Sequence, residues 1–258
     1  MFPIIVSTPK DAIVAAIQFA PVLLDVDKNL AVGLQLAFEA AAKGARVIVL
    51  PELCTSGYVL GNCREAADCS QQKDGYQSQA FLDIAQRFNC HIVFGYVETC
   101  EGRLYNSAAV VGPRGLAGNF QKHNRYGTDN LWAEPSEQVP VTVVTGAGRL
   151  GALICRDGAN RYRESYQFYN SDHRFYKKGS VDTIALLTNW GDKYAYPDSS
   201  WVELVEETDA NVIVSNRVGK ERDMKWKGGA CVIDRNLSVQ TFGSSFVNEA
   251  VVGGRVIL

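Results

Sequence analysis

Four residues in this chain have the type and setting for nucleophilic and acid–base chemistry. Cys155 ends the apolar run Gly151-Ala152-Leu153-Ile154-Cys155 and is followed by Arg156-Asp157-Gly158. A thiol at the end of a buried strand is held rigidly, and backbone N–H groups in the next turn can receive an oxyanion. By itself the residue also reads as a small buried hydrophobe, a common state of free cysteine. Glu52 stands just past Val47-Ile48-Val49-Leu50-Pro51. A carboxylate there is costly unless it faces a site or a partner, and ligands in open α/β sheets bind at strand C-termini. Lys122 follows the strand-like Gly118–Gln121, and Glu134 lies in Leu131-Trp132-Ala133-Glu134-Pro135. Each of these two, taken alone, reads as a solvated charge. The chemistry open to Cys155 is thiol attack on an electrophilic carbon, with the backbone N–H groups of the following turn to receive the oxyanion.

Other pairings are weaker. A Cys–His hydrolase would draw its base from His91, His123 or His173. His123 adjoins Lys122, and neighbouring strand residues point to opposite faces, so both cannot face one site. Cys54, Cys63 and Cys69 are spaced by nine and six, unlike the short paired knuckles of zinc sites. No metal is expected.

The elements that must position these residues alternate along the chain. Ala12–Phe19 is strand-like. Asp27–Lys43 has helical spacing and stops at Gly44, as helix C-termini commonly do. Val47–Leu50 is a short buried strand, Ser78–Phe88 a helix and His91–Val97 a strand. Ser107–Val111 and Gly118–Gln121 form a hairpin turning at Gly112-Pro113-Arg114-Gly115. Val141–Val144 and Leu150–Ile154 pair through Gly146–Gly148. Thr183–Leu187 is a strand, Trp201–Asp209 an acidic helix and Val212–Val214 a strand. Gly229–Asp234, Ser238–Thr241 and Val251–Val256 are closing strands. Strands mixed with helices throughout favour a layered α/β fold. The sequence strand, helix, strand, hairpin occurs in each half, so residues 1–258 read as a single domain built from two related halves.

Composition excludes several classes. With 26 Lys plus Arg against 28 Asp plus Glu, the net charge of −2 argues against nucleic-acid binding. A hydrophobic share of 47% and a charged share of 21% fit a globular chain rather than a disordered one. Seven cysteines, an odd number in a chain of 258 residues, favour a reducing compartment over a disulfide scaffold. The N-terminus makes a poor signal peptide, and no apolar run nears the ~18 residues of a membrane span. A cytoplasmic protein is expected, without a membrane partner.

The motifs, read together and in order, resemble the nitrilase superfamily of carbon–nitrogen hydrolases from about Val14 to the C-terminus. Val49-Leu50-Pro51-Glu52-Leu53-Cys54-Thr55-Ser56-Gly57-Tyr58 is similar to the segment that carries the family's catalytic glutamate. Leu104-Tyr105-Asn106-Ser107-Ala108 and Phe120-Gln121-Lys122-His123 resemble the lysine motif and the strand before it, and Gly151–Asp157 the nucleophile motif. Thr188-Asn189-Trp190, Asn211–Gly219 and Gly228–Asp234 also fit. The resemblance implies a four-layer αββα sandwich and a Glu52–Lys122–Cys155 triad. It makes Glu134 the second glutamate that positions the lysine, with Glu137 as the fallback. It further implies hydrolysis of a small amide through a thioester, with nitrile or N-carbamoyl hydrolysis as alternatives, no cofactor, and a homodimer or larger homo-oligomer. A non-catalytic binding protein on the same fold is the reading from another class. Tyr58, Trp132, Trp190 and Tyr194 lie in or beside the motifs and are candidate pocket residues, with core or interface packing equally open to them. Arg156 replaces the family's usual non-basic residue after the nucleophile. It would favour an anionic substrate if it faces the pocket, or pair with Asp157 or Glu164 if it does not.

Overall fold

The computed structural model describes residues 11–138, 140, 142–159, 175–191, 196–240 and 250–258. In chain order the first half contains β1 (Asp11–Gln18), α1 (Val26–Ala42), β2 (Val47–Val49), α2 (Cys63–Asp68), α3 (Tyr76–Ala80), α4 (Leu82–Phe88), β3 (His91–Cys100), β4 (Arg103–Gly112) and β5 (Gly115–Gln121). The second contains β6 (Val143–Thr145), β7 (Gly148–Ile154), β8 (Thr183–Leu187), α5 (Ser199–Thr208), β9 (Asn211–Ser215), β10 (Val218–Glu221), β11 (Met224–Lys227), β12 (Cys231–Ile233), β13 (Val239–Gln240) and β14 (Ala250–Ile257).

These strands form two six-stranded sheets, ordered β14-β1-β2-β3-β4-β5 and β13-β12-β9-β8-β7-β6. Each sheet has three central parallel strands, β1-β2-β3 and β7-β8-β9. In each, an antiparallel pair follows the last parallel strand, and one antiparallel strand flanks the first. The two halves therefore share a topology, as the repeated element order predicts.

The central strands are buried on both faces, so their residues alternate between two apolar environments. Val47 and Val49 of β2, Val14 and Ala16 of β1, and Ala108 and Val110 of β4 point between the sheets, where they meet Ala152 and Ile154 of β7. Ile48, Ala15, Ile17, Phe94 and Ala109 point the other way, under α1 and α4. Helix α5 packs on β9 and β12 of the second sheet. The result is the αββα sandwich implied by the motifs.

Three details depart from the sequence reading. The helix expected over Ser78–Phe88 is two helices, broken at Phe81, whose buried ring packs on Phe94 at 4.8 Å between centroids. Helix α2 is too short to show a periodicity and is marked only by its cap, the Asn62 side chain, which accepts from the N–H groups of Arg64 and Glu65. The hairpin β10–β11 stands outside both sheets and carries few apolar residues to betray it. No described helix is long and apolar enough to cross a membrane.

Candidate active site

The C-terminal ends of β2, β5, β7 and β8 converge on one buried polar cluster. Strand β2 ends at Val49, and Leu50 and Pro51 carry the chain to Glu52 against β3. A glycine is required opposite: a Cβ on Gly95 would lie 2.7 Å from the Glu52 Cα and 2.4 Å from the Leu53 nitrogen. Lys122 follows β5, its backbone N–H donating to the Asn106 carbonyl at 2.8 Å. Phe120 faces the sheet interface, so Lys122, two residues on, shares that face. Gln121 points to the opposite face, where it donates to the buried Glu98 at 3.1 Å. The expectation for His123 follows the same alternation. Its Nε2 lies 2.7 Å from the Gln138 carbonyl, and its ring packs edge-on against Phe175.

Cys155 comes directly after β7, with φ at +50°. A non-glycine residue in this left-handed region is held there by its surroundings at a cost of about 1–3 kcal/mol, and such strain gathers at functional turns. The tight 3-10 turn Cys155–Gly158 begins at the same residue.

The Lys122 Nζ donates to Glu52 Oε1 at 2.6 Å and to Asp129 Oδ2 at 2.7 Å, and all three side chains are essentially inaccessible. Asn106 bridges the same carboxylates, its Nδ2 lying 2.9 Å from Glu52 Oε1 and 3.1 Å from Asp129 Oδ1. On the other side, Asn189 Nδ2 donates to Glu52 Oε2 at 3.1 Å and to the Glu52 carbonyl at 2.9 Å. Glu52 thus has one oxygen committed to Lys122 and Asn106, and the other touched by Asn189.

Charge and burial set the protonation tendencies. Burial alone pulls the Lys122 ammonium down, but the carboxylates of Asp129 and Glu52 outweigh it and hold it well above the usual lysine range. Burial raises the Glu52 carboxyl above its ordinary value; Lys122 opposes this, and the charge of Asp129 adds to it. Burial also raises the Cys155 thiol, with Glu52 adding to the effect and Lys122 and the backbone N–H of Asn189 opposing it. The resting thiol is therefore protonated at neutral pH, and its attack requires a base.

Asp129, not Glu134, is the second carboxylate on Lys122. The Glu134 side chain is exposed, and its backbone N–H donates to the Leu104 carbonyl at 2.8 Å. Glu137, the fallback, is exposed as well. The reason is local. Gly127, at φ +58°, starts the tight turn Gly127–Leu131, and Asp129 accepts from the Tyr126 N–H at 3.0 Å, which folds its carboxylate back onto the lysine. The sequence signal was the turn-forming Tyr126-Gly127-Thr128-Asp129.

The aromatic candidates separate. Tyr58 is buried by the cluster, its hydroxyl donating to the Tyr126 carbonyl at 3.2 Å. Trp132 closes the Asp129 turn and packs with Leu53, Tyr58 and Trp226. Trp190 faces the core of the second half: its indole N–H donates to Asp198 at 3.1 Å, and its ring meets Trp201 edge-on. Tyr194 lies outside the described residues, as does Glu164. The Arg156 guanidinium stacks over the Tyr126 ring at 4.9 Å. Its expected partner Asp157 instead accepts from the backbone N–H groups of His123 and Asn124, at 3.3 and 2.8 Å. The loop after Cys155 thereby grips the loop after Lys122.

Sequence reading missed a second supporting layer. Glu221, ion-paired with buried Arg217, accepts from the N–H groups of Tyr58 and Val59 at 2.9 and 3.0 Å. Arg217 lies 4.2 Å from the Trp226 ring centroid, and the Trp226 indole donates to the Asn189 carbonyl at 2.9 Å. The hairpin β10–β11 thus braces both the Glu52 loop and Asn189. Among the described residues no group of three or more His, Cys, Asp and Glu is placed to hold a metal ion.

Two facing six-stranded sheets under outer helices are the fold of the nitrilase superfamily. An amidase from Nesterenkonia sp. AN1 superposes with a TM-score of 0.77 at 18% identity, covering 96% of this chain and 92% of that one. A sequence profile described as Carbon-nitrogen hydrolase matches residues 13–173, and the chain belongs to that family. A nitrilase of Pyrococcus abyssi is 30% identical over 240 residues, 93% of this chain and 87% of that protein. A protein N-terminal amidase of Schizosaccharomyces pombe is 25% identical, over 84% of this chain and 89% of its own length.

Proposed function

We propose that this carbon–nitrogen hydrolase is an amidase, acting on a small amide through a thioester on Cys155. The observation that carries the reading is the buried Lys122 ammonium held between Glu52 and Asp129, at the strand ends that also present Cys155. A buried ion cluster of this kind is expensive unless it serves a purpose, and here it sits beside a thiol that cannot ionise unaided.

Glu52 takes the thiol proton as sulfur attacks the amide carbonyl carbon. The C=O π pair moves onto oxygen, where Lys122 and the Arg156 backbone N–H meet the negative charge. Glu52 then gives its proton to the nitrogen, the C–N bond breaks with its electron pair on the departing ammonia or amine, and the carbonyl reforms as a thioester. Water, losing a proton to Glu52, attacks that thioester; the C–S bond breaks, and the sulfur regains a proton. Asp129 and Asn106 keep the ammonium and the base in register. Similarity to proteins named nitrilase and amidase supports thiol chemistry at a carbon–nitrogen bond.

Intact-protein mass spectrometry after exposure to a panel of amides, nitriles and N-carbamoyl compounds tests the proposal. An acyl adduct with an amide that vanishes in Cys155→Ala is the expected result. Adducts with nitriles alone would replace amidase by nitrilase, and ammonia release retained in Cys155→Ala would overturn the nucleophile.

A further inference from the structure

Asn189 stands between the proposed base and the proposed nucleophile, and half of its side chain is unused. Its backbone N–H lies near enough to the Cys155 thiol to oppose the upward push of burial on it. Its Nδ2 donates to both the Glu52 carbonyl and Glu52 Oε2. Both acceptors are oxygens, and a backbone carbonyl can only accept, so the amide orientation is fixed with nitrogen toward Glu52. The Oδ1 then points away from Glu52, and it is buried without a hydrogen-bond partner among the described residues. The carboxamide cannot turn over to relieve this without losing both bonds to Glu52. The Trp226 indole, bonded to the Asn189 carbonyl, also holds the residue in place. A buried acceptor left unpaired is costly, and this one belongs to the carboxamide that touches Glu52 Oε2.

We infer that Asn189 Oδ1 accepts an N–H from the scissile nitrogen, so that the site selects substrates whose leaving group is an –NH2 or –NH– over esters of the same acid. This rests on the amidase reading. The leaving nitrogen must come within hydrogen-bond reach of Glu52 to receive its proton. The carboxamide that touches Glu52 Oε2 is next to that position. An N–H directed at Asn189 Oδ1 turns the nitrogen lone pair toward the Glu52 proton, which is then transferred as the C–N bond breaks. An ester oxygen has no hydrogen to offer and leaves the acceptor orphaned, a mismatch that polar sites use for large discrimination.

The test compares Cys155 acylation by propionamide and by methyl propionate in the wild-type protein and in Asn189→Ala. The substitution also loosens Glu52, whose proton the departing nitrogen needs more than an ester oxygen does, so an unchanged ratio is the decisive outcome and the calorimetry below separates the two causes of a fall. The expected result is a fall of tenfold or more in the amide-to-ester rate ratio. An unchanged ratio would mean that Asn189 only positions Glu52, and would overturn the inference. A second measurement leaves Asn189 intact: calorimetry on Cys155→Ala with propionamide and its ketone isostere, 2-butanone. Tighter binding of the amide is expected, and equal or weaker binding overturns the assignment. If neither propionamide nor its ester acylates the wild-type protein, the amidase reading fails and takes this one with it. If the ester acylates and the amide does not, only the selectivity inference fails.

Discussion

Replacing Asp129 by asparagine keeps the shape of the turn and removes one of the two charges on Lys122. The Oδ2–Nζ distance is 2.7 Å. At an effective dielectric of about 20, a unit pair at this separation is worth about 6 kcal/mol. The asparagine oxygen still accepts from the ammonium, which retains about 2–3 kcal/mol as a charge-assisted hydrogen bond. The loss is then about 3 kcal/mol. If it falls on the transition state, kcat/KM drops about 100-fold, at 1.36 kcal/mol per decade. The pH profile provides a second readout. Glu52 must be ionised to take the thiol proton, so activity rises with pH through its ionisation. Asp129 pushes that ionisation upward, so removing its charge moves the acid limb of the kcat/KM profile to lower pH. The paired control is Glu134→Gln, expected to stay within about threefold because that side chain is exposed and surface changes are mild. The assay is ammonia release from the best amide across pH. An equal fall in Glu134→Gln, or wild-type activity with an unmoved acid limb in Asp129→Asn, would rule out Asp129 as the carboxylate that tunes this pair.

The strained backbone at Cys155 predicts that Cys155→Gly is more stable than Cys155→Ala by about 1 kcal/mol, since glycine alone is at ease at positive φ; denaturant unfolding of the two inactive variants decides it. Gly95→Ala drives a methyl group into the backbone that carries Glu52, and should cost about 1–3 kcal/mol of stability together with most activity, read by unfolding and by turnover. Glu221→Gln breaks the buried pair with Arg217 and weakens the grip on Tyr58 and Val59; a loss of about 3–5 kcal/mol is expected by urea unfolding, and a loss under 1 kcal/mol would contradict it. Trp226→Phe keeps most of the ring but deletes the donor to the Asn189 carbonyl; kcat should fall about tenfold with KM little changed, and a change confined to KM would argue against a positioning role.

Most strands and the long helix α1 were legible because their cause is local. Val47–Leu50 is continuously apolar because β2 is buried on both faces, and Gly44 stops α1 where the chain must turn. Helices α2 and α3, at six and five residues, are too short for a period to form, and their placement depends on caps and on packing such as that of Phe81 on Phe94. The hairpin β10–β11 was hidden for a related reason: it is held by Arg217, Glu221 and Trp226, whose partners come from distant parts of the chain.

The sequence by itself determined which strand ends carry a carboxylate, an ammonium and a thiol, because each sits at a recognisable boundary between an apolar run and a turn. Alternation along β5 was enough to separate Lys122 from His123. Only the tertiary structure decided which second carboxylate reaches the lysine. Asp129 and Glu134 are both acids in the same loop, and a tight turn that starts at Gly127 buries one and leaves the other in solvent. It also decided that Asn106 and Asn189 hold opposite oxygens of Glu52. Asn106 lies in β4 of one sheet and Asn189 follows β8 of the other. Their meeting is set by how the sheets face each other, a relation between segments 83 positions apart that no local pattern records.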